Sequence, residues 1–310
     1  MRKRTLIAFA FLATLLVGCT NSTSTNSESD RLNVLCTTQI ISDVLQHFVG
    51  DSADVNYLMG PGIDPHIYTP SFKDLSLLES ADVIVYNGLH LEGKMQEILE
   101  GYSSEKTVIS VAKFLEEDKR IVLDEEPVVY DPHVWFNPDN FVNCIQSIAD
   151  EINATFKLET SDDKGKAFMA RKDSLTQVWK DLLDGKPKKK RILVTAHDAF
   201  SYFGDYFGIE VKALQGINTQ AEYGVKDVKE LASFIIENDV KAIFLESAIS
   251  SRSVESVIRE VENQGHSITM GSTLYADAMG IKGSGADEYL MMIDHNVRNI
   301  IQGMGDGTAE

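Results

Sequence analysis

Three histidines in this 310-residue chain stand in short motifs whose residue types suit a metal ion. His66 and His133 each follow an Asp-Pro pair, and His197 stands between an alanine and an aspartate. An isolated acid, Asp277, lies between two alanines further along the chain. Imidazole nitrogen and carboxylate oxygen together are typical ligands of a borderline divalent cation such as zinc or manganese. The sequence therefore predicts one metal site, built from these four residues, if the fold brings them together.

Three further acids could support these ligands. Asp64 and Asp131, each two residues before a motif histidine, are predicted acceptors for imidazole N–H groups in an outer shell. Glu246, at the end of an apolar strand, is either another outer-shell acid or a capping or salt-bridged carboxylate. Each histidine taken singly is more typical of an ordinary loop or core residue, so the joint placement carries the prediction. The remaining histidines are His47, His266 and His295, which have no matching partner in the other half of the chain, and His90, whose role stays open.

Predicted strands and helices alternate along the chain, and this order places the candidate ligands at the carboxyl-terminal edge of the sheets. The predicted strands are residues 33–36, 54–59, 83–86, 107–111, 192–194, 211–214, 242–245 and 267–270. This pattern predicts an α/β fold of two Rossmann-like lobes, each with a parallel sheet covered by helices. Ligands in such folds bind beyond the carboxyl ends of the strands. His66 and His133 would come from the first lobe and His197 and Asp277 from the second, so the site is expected in the cleft between the lobes.

A long helix is predicted between the two lobes. Before Gly185, apolar residues recur at the helical spacing that predicts a packed face, and Thr160 or Ser161 is a suitable N-cap. These apolar residues are Phe168, Leu175, Val178, Trp179, Leu182 and Leu183. A continuous helix of roughly 23 residues would span about 35 Å and join the lobes as a rigid strut. The predicted domains are an N-terminal lobe over residues 31–158, a linking helix over 159–186 and a C-terminal lobe over 187–310.

The first 30 residues predict export and attachment to a membrane. A positive start, Arg2 to Arg4, precedes an apolar run that is too short to remain as a transmembrane helix, which is typical of a signal peptide over residues 1–18. Gly18-Cys19 resembles the processing site of bacterial lipoproteins, which implies cleavage before Cys19 and a lipid on it. The alternative is an ordinary signal peptide with a chance cysteine. Residues 19–30 lack large apolar side chains and are predicted to form a flexible tether.

Charge and cysteine content narrow the possible partners. The net charge is −18, and removal of residues 1–18 deletes three positive charges and no acids, which gives −21. Such an acidic chain is not expected to bind nucleic acid. The surface charge either favours encounter with cations or serves solubility alone. Cys36 and Cys144 lie in apolar runs, so they are expected to be buried free thiols, although their pairing stays open.

Five motifs together resemble one family, the cluster A-I solute-binding lipoproteins of metal-importing ABC transporters, also called TroA-like zinc and manganese binders. The motifs are residues 60–68, 131–136, 194–203, 243–247 and 275–279. The resemblance implies that His66, His133, His197 and Asp277 bind the ion. In this family the third position is His or Glu, and His197 is similar to the zinc/manganese type. Dedicated zinc members carry a histidine-rich loop before the second motif, whereas residues 116–126 here are acidic and contain no histidine.

The expected function is therefore a bacterial receptor, held on the extracytoplasmic face of the cell membrane by the lipid on Cys19. It would act as a monomer, capture one Mn²⁺ or Zn²⁺ ion as cargo and deliver it to an ABC permease, without catalysis or a catalytic cofactor. A secreted zinc metallohydrolase is the alternative, because three histidines and an aspartate would also serve hydrolysis. The chain contains no His-Glu-x-x-His or Gly-x-Ser-x-Gly motif, which favours binding. A surface adhesin is a further alternative without a sequence feature of its own.

Overall fold

The computed structural model describes residues 31–188, 191–219 and 223–305. The predicted signal peptide, Cys19 and the tether lie outside the described residues. The strands are β1 (Leu32–Thr38), β2 (Ala53–Met59), β3 (Val83–Tyr86), β4 (Thr107–Ser110), β5 (Val122–Glu125), β6 (Val128–Tyr130), β7 (Ile192–His197), β8 (Glu210–Gln215), β9 (Ala242–Ile243) and β10 (Thr269–Met270). The helices are α1 (Gln39–Val49), α2 (Phe72–Ser80), α3 (Gln96–Gly101), α4 (Pro138–Phe156), α5 (Asp163–Asp184), α6 (Ser201–Phe207), α7 (Val225–Glu237), α8 (Arg252–Asn263) and α9 (Tyr289–Gly303).

The first lobe is built on a four-stranded parallel sheet with the order β2-β1-β3-β4. Val34 in the central strand β1 pairs with Val55 on one side and Val83 on the other. Helix α1 follows β1 directly because the Thr38 side chain accepts the backbone N–H of Ile41 and caps the helix. The apolar face of α1 packs into the core of this lobe. The connections therefore leave the carboxyl ends of the strands, where the first candidate ligands follow.

The second lobe repeats the strand order of the first. Strands β7 and β8 pair in parallel, as do β9 and β10, and a parallel bridge between Thr195 and Phe244 joins the two pairs. The resulting order is β8-β7-β9-β10, which matches β2-β1-β3-β4 when each lobe is counted from its first strand. A further bridge between Glu246 and Leu274 continues the pairing toward Asp277. The predicted α/β fold with two lobes and parallel sheets is confirmed.

Two helices, of which the sequence pattern predicted one, lie between the His133 motif and β7. Helix α4 begins after Asn137, whose side chain accepts the backbone N–H of Asn140, and it ends at Lys157 in a left-handed conformation. Helix α5 has 22 residues and ends before Gly185 as predicted, but it begins at Asp163, after the predicted caps. The domain boundaries assigned from the sequence remain a prediction.

Helix α5 is held by polar contacts that an apolar pattern does not reveal. Val178 and Leu182, which the periodicity placed on the packed face, are partly exposed, whereas Lys172 is buried. Lys172 forms an ion pair with Asp139 of α4, and the Tyr206 hydroxyl of α6 donates to the same carboxylate at 2.7 Å. One carboxylate thus connects the three helices α4, α5 and α6.

A two-stranded antiparallel hairpin, β5 and β6, occupies the acidic segment before His133 and was not predicted. Its apolar residues Val122, Leu123, Val128 and Val129 are exposed. At its base, the backbone N–H of Asp131 donates to the carbonyl of Ile121 at 2.9 Å. The hairpin therefore fixes the point at which the chain enters the second histidine motif.

Cys36 in β1 and Cys144 in α4 are both buried free thiols. The pairing that the sequence left open is not formed. Burial raises the pKa of the Cys144 thiol to about 11 and raises that of Cys36 further. Both side chains are therefore protonated at neutral pH and pack as small apolar groups.

Candidate metal centre

The loop after β2 carries His66 into the cleft. Asp64 Oδ1 accepts the backbone N–H of His66 at 2.9 Å, which closes a tight turn around Pro65. The other oxygen, Asp64 Oδ2, accepts the hydroxyl of Thr219 at 2.7 Å. Because Thr219 follows β8, this hydrogen bond joins the first histidine loop to the second lobe. Asp64 thus holds the backbone of the loop in addition to any contact with the ring.

His133 is oriented by Asp131. A single oxygen, Asp131 Oδ1, accepts the backbone N–H of His133 at 2.8 Å and its ring Nδ1–H at 2.7 Å. The Nδ1 contact leaves Nε2 as the atom that faces the other candidate ligands. Both side chains are fully buried, so the ring has little freedom to turn. A carboxylate behind a histidine in this way is the arrangement that fixes the tautomer of a metal-binding imidazole.

His197 is the last residue of β7 and presents its other nitrogen. Its Nε2 lies 3.0 Å from the carbonyl oxygen of Ile217. Because a carbonyl can only accept, Nε2 carries the hydrogen and the lone pair of Nδ1 faces the cleft. Glu246 Oε1 accepts the backbone N–H of His197 at 3.0 Å, and burial raises the pKa of Glu246 to about 8. Glu246 therefore holds the end of β7 and is mostly protonated at neutral pH.

Asp277 is fixed by helix α9 of its own lobe. Asn296 accepts the backbone N–H of Tyr275 at 3.0 Å and donates its amide to the carbonyl of the same residue at 2.7 Å. Asn296 is fully buried, and Asp277 is 4% exposed. This pair of bonds holds the backbone two residues before the carboxylate. The loop is thereby positioned without a strand to support it.

The structure brings together all four residues that the sequence selected as ligands. The distances are 3.3 Å between the Nε2 atoms of His66 and His133, 3.4 Å from His133 Nε2 to Asp277 Oδ1, 3.8 Å from His66 Nε2 to Asp277 Oδ2, and 3.9 Å from His197 Nδ1 to Asp277 Oδ2. One atom from each residue lies within 4.8 Å of all the others. A tetrahedral shell with bonds of about 2.0–2.1 Å needs ligand atoms about 3.3 Å apart. The cluster is thus slightly wider than a zinc shell.

Two buried atoms in this cluster lack a hydrogen-bond partner among the described residues. They are His197 Nδ1 and Asp277 Oδ1, both directed at the centre of the cluster. Buried polar atoms of folded proteins are nearly always satisfied, so atoms left in this state indicate a missing ligand. His197 Nδ1 and Asp277 Oδ1 are both acceptors, so they cannot form a hydrogen bond with each other, but both can coordinate a cation. The chemistry of the four atoms therefore fits a positive ion at their centre.

Burial and charge separate the protonation states of the four groups. Burial lowers the pKa of His66 to about 3 and lowers that of His197 as well, although Asp277 acts in the opposite direction. For His133 burial is outweighed by the charge and hydrogen bond of Asp131 and by Asp277, which raise its pKa to about 10. The imidazoles of His197 and His133 outweigh burial at Asp277 and hold the pKa of its carboxyl well below the usual range. At neutral pH His133 is therefore the one imidazole of the three that is protonated on both ring nitrogens and carries a positive charge.

A buried glutamate that the sequence analysis did not single out supports the second histidine loop. Glu92 accepts the Thr37 hydroxyl at 2.8 Å, the backbone N–H of Asn87 at 2.6 Å and that of Gly88 at 3.1 Å. The Asn87 amide in turn donates to the carbonyl of Pro132 at 2.8 Å, directly before His133. Asn87, the polar residue directly after β3, was the available sign of this network in the sequence.

The remaining histidines lie outside the cluster. His90, whose role the sequence left open, is exposed and has a positive φ of 64°. His47 is partly buried and stacks on Phe168, with ring centroids 4.4 Å apart. His266 is exposed. Within the described part of the chain, the three motif histidines and Asp277 are therefore the one group of possible metal ligands that lie together.

The two-lobed fold and the buried His₃Asp cluster define a solute-binding protein of the metal-binding class. The chain belongs to the family described as zinc-uptake complex component A, periplasmic, whose model matches residues 34–303. The resemblance inferred from the five motifs is thereby confirmed.

Three relatives show how widely the cargo varies at this level of similarity. The manganese-binding lipoprotein MntA of Bacillus subtilis is 38% identical over 98% of this chain and 100% of its own length. The iron ABC transporter substrate-binding lipoprotein MtsA of Streptococcus pyogenes is 29% identical over 98% of this chain and 99% of its own. The solved structure of the periplasmic zinc-binding protein TroA from Treponema pallidum has a TM-score of 0.84 at 34% identity, and covers 88% of this chain and 99% of that chain.

Proposed function

We propose that this protein captures one Mn²⁺ or Zn²⁺ ion through His66, His133, His197 and Asp277 and delivers it to an ABC permease. The observation that carries the proposal is the cluster itself, in which one atom from each of four buried residues lies within 4.8 Å of the others. Relatives named for manganese, zinc and iron binding support a divalent metal as cargo. We further propose residues 31–158 and 187–310 as the two lobes, with the ion between them.

The alternative functions lack support. A hydrolytic zinc needs an open coordination position for water, whereas four protein ligands can close the shell here. The cluster residues are at most 4% exposed, so a substrate cannot reach an ion between them in this conformation. The family consists of solute-binding proteins. No observation favours a surface adhesin.

The proposal is tested by titrating metal-free mature protein with Zn²⁺ and Mn²⁺, separately and in competition. We expect one ion per chain and mutually exclusive binding, because both ions use the same four ligands. Zinc should bind more tightly, as expected from the general order of divalent affinities. Binding of neither ion, or of several ions with no competition between them, would exclude this function.

We expect His197→Glu to shift the ratio of zinc to manganese affinity toward manganese. The replacement substitutes an oxygen ligand for nitrogen, and the harder manganese ion prefers oxygen. The shift should be modest because the other three ligands are unchanged, so zinc should remain the tighter ion. Competition titration of the variant measures it. If both affinities fall by the same factor, position 197 does not set selectivity.

Metal binding at pH 7 should release about one proton. His133 carries a proton in the metal-free cluster because its pKa is about 10, and the ion needs the neutral imidazole. His66 and His197 have lowered pKa values and Asp277 is already ionised, so they release none. Affinity should therefore rise about tenfold for each unit of pH between pH 6 and 9.

Calorimetry in buffers of different protonation enthalpy measures this proton directly. Asp131→Asn provides the comparison, because it removes the charge and weakens the hydrogen bond that raise the pKa of His133. Its binding should release less than one proton and depend less on pH. A binding enthalpy that is the same in all buffers for the native protein would contradict the assignment.

We propose that the protein is anchored to the extracytoplasmic face of a bacterial membrane by a lipid on Cys19, as a monomer. Lipoprotein relatives support this location. Within residues 31–188, 191–219 and 223–305, no helix has both the length and the apolar character needed to cross a membrane.

Cys19→Ser should prevent lipid attachment, so the variant should appear in the soluble fraction or as uncleaved precursor. Cell fractionation with detection of the processed form measures this. The Cys36→Ser variant is the matched control and should stay with the membrane, because that thiol lies inside the folded lobe. A fully processed, membrane-bound Cys19→Ser protein would rule out the lipid anchor.

A further inference from the structure

Trp135 lies between the two lobes at the point where two candidate ligands meet. It is 1% exposed and stands two residues after His133, with its ring edge-on to that imidazole at a centroid distance of 5.3 Å. Its indole N–H donates to the carbonyl oxygen of Ala276 at 3.0 Å. Ala276 immediately precedes Asp277 in the other lobe. This hydrogen bond thus links the side chain of Trp135, close to His133, to the backbone directly before Asp277.

The backbone of Trp135 is held from the second lobe as well. The hydroxyl of Tyr289, at the start of α9, donates to the carbonyl of Trp135 at 2.7 Å. The backbone N–H of Tyr289 donates to Asp43 of α1 at 2.9 Å. Trp135 therefore receives one bond from the second lobe and gives one to it, while the short helical turn that contains it belongs to the His133 loop.

The cross-lobe bond is separable from the bonds that fold each loop. The Asp277 loop keeps the two bonds between Asn296 and Tyr275 when the indole N–H is absent. The His133 loop likewise keeps both of its bonds to Asp131. Removal of the indole N–H would thus leave both loops folded, and only the distance between the His133 loop and the Asp277 loop would no longer be fixed by this bond.

We infer that Trp135 is a positioning residue, which holds His133 and Asp277 at the spacing that the ion requires. The inference rests on the proposed metal-binding function. Loss of the hydrogen bond between Trp135 and Ala276 leaves the side chains of His133 and Asp277 intact but lets the two lobes separate more easily. Affinity should fall because the protein must then restore the ligand spacing each time an ion binds.

Trp135→Phe tests the inference, with Trp179→Phe as the matched control. Trp179 is the only other tryptophan, is fully buried, and donates its indole N–H to Asp294 Oδ1 at 3.0 Å, between α5 and α9. Both variants lose one buried hydrogen bond, so both should lower the unfolding temperature of the metal-free protein. Only Trp135→Phe should also weaken zinc and manganese binding, by about fivefold to tenfold.

Fluorescence supplies a second readout, because each variant retains one tryptophan. Metal should change the emission of Trp179→Phe, in which Trp135 remains beside the ion, and should leave that of Trp135→Phe nearly unchanged. Tyr289→Phe removes the bond to the Trp135 carbonyl and should weaken binding in the same direction, which keeps the test valid if Trp135→Phe does not fold.

Equal affinity in the native protein and Trp135→Phe, or equal loss in both tryptophan variants, would overturn the positioning role. If Trp135→Phe does not fold, unchanged affinity in Tyr289→Phe would overturn it. If the native protein binds neither Zn²⁺ nor Mn²⁺, the proposed function fails and the positioning role fails with it. The native titration therefore distinguishes the two failures.

Discussion

His66→Ala and Asp277→Ala will each weaken metal binding by more than tenfold, although the two residues belong to different lobes. Each removes one ligand from a closed shell, and a water molecule must replace it without the geometry that the protein provides. The loss should be larger for Asp277→Ala, because this carboxylate is the only anion among the four ligands and the ion lies in a buried cluster.

Matched controls separate this effect from a general change in charge or histidine content. His90→Ala removes an exposed histidine, and Asp118→Ala removes a carboxylate whose side chain is 73% exposed. Both controls should bind Zn²⁺ and Mn²⁺ as the native protein does. Calorimetric titration of all four variants measures the difference. A ligand variant whose affinity equals that of its control would exclude that residue from the metal shell.

Metal will raise the unfolding temperature of the native protein strongly. An ion that binds only the folded state stabilises it by about 4 kcal/mol when its free concentration is a thousandfold above Kd. For a folded part of this size such a gain corresponds to a shift of roughly 7 °C. The shift should grow with metal concentration, because the stabilisation follows the logarithm of that concentration. Thermal unfolding followed by circular dichroism measures it.

The Asp277→Ala variant provides the reference for this measurement. Its unfolding temperature should respond weakly to the same metal concentrations, because its affinity is lower. The metal-free forms of both proteins should be compared first, because removal of the Asp277 carboxylate also removes its attraction to the imidazoles. A native protein that unfolds at the same temperature with and without saturating metal would contradict binding to the folded state.

The central strands β1, β3, β7 and β9 were predictable because parallel strands buried on both faces read as short apolar runs. All eight predicted strands of the two sheets are present, including β9 and β10, which have only two residues each. The four candidate ligands were predictable for a related reason. His197 ends β7 and the other three lie in loops that follow strands, so the topology brings all four to the same edge.

Other features depend on long-range contacts that no local pattern contains. The buried position of Lys172 on α5 requires Asp139 from another helix, so a pattern of apolar residues assigned Val178 and Leu182 to the packed face instead. The choice of Nδ1 in His197 depends on the carbonyl of Ile217, twenty residues away. Hairpin β5–β6 was missed because its strands are exposed on both sides and follow no burial alternation.

The complete burial of the ligand cluster has a kinetic consequence. Water and small chelators cannot contact an ion between residues that are at most 4% exposed until the loops that carry them move apart. The Asp64–Thr219 hydrogen bond joins the His66 loop to the loop after β8 in the other lobe, and it must break when those two loops separate. The rate of ion exchange is then set by how often the protein opens, and it does not depend on how strongly a competitor in the medium attracts the metal. The lifetime of the loaded protein becomes a property of the fold, and the permease must shorten that lifetime in order to take up the ion.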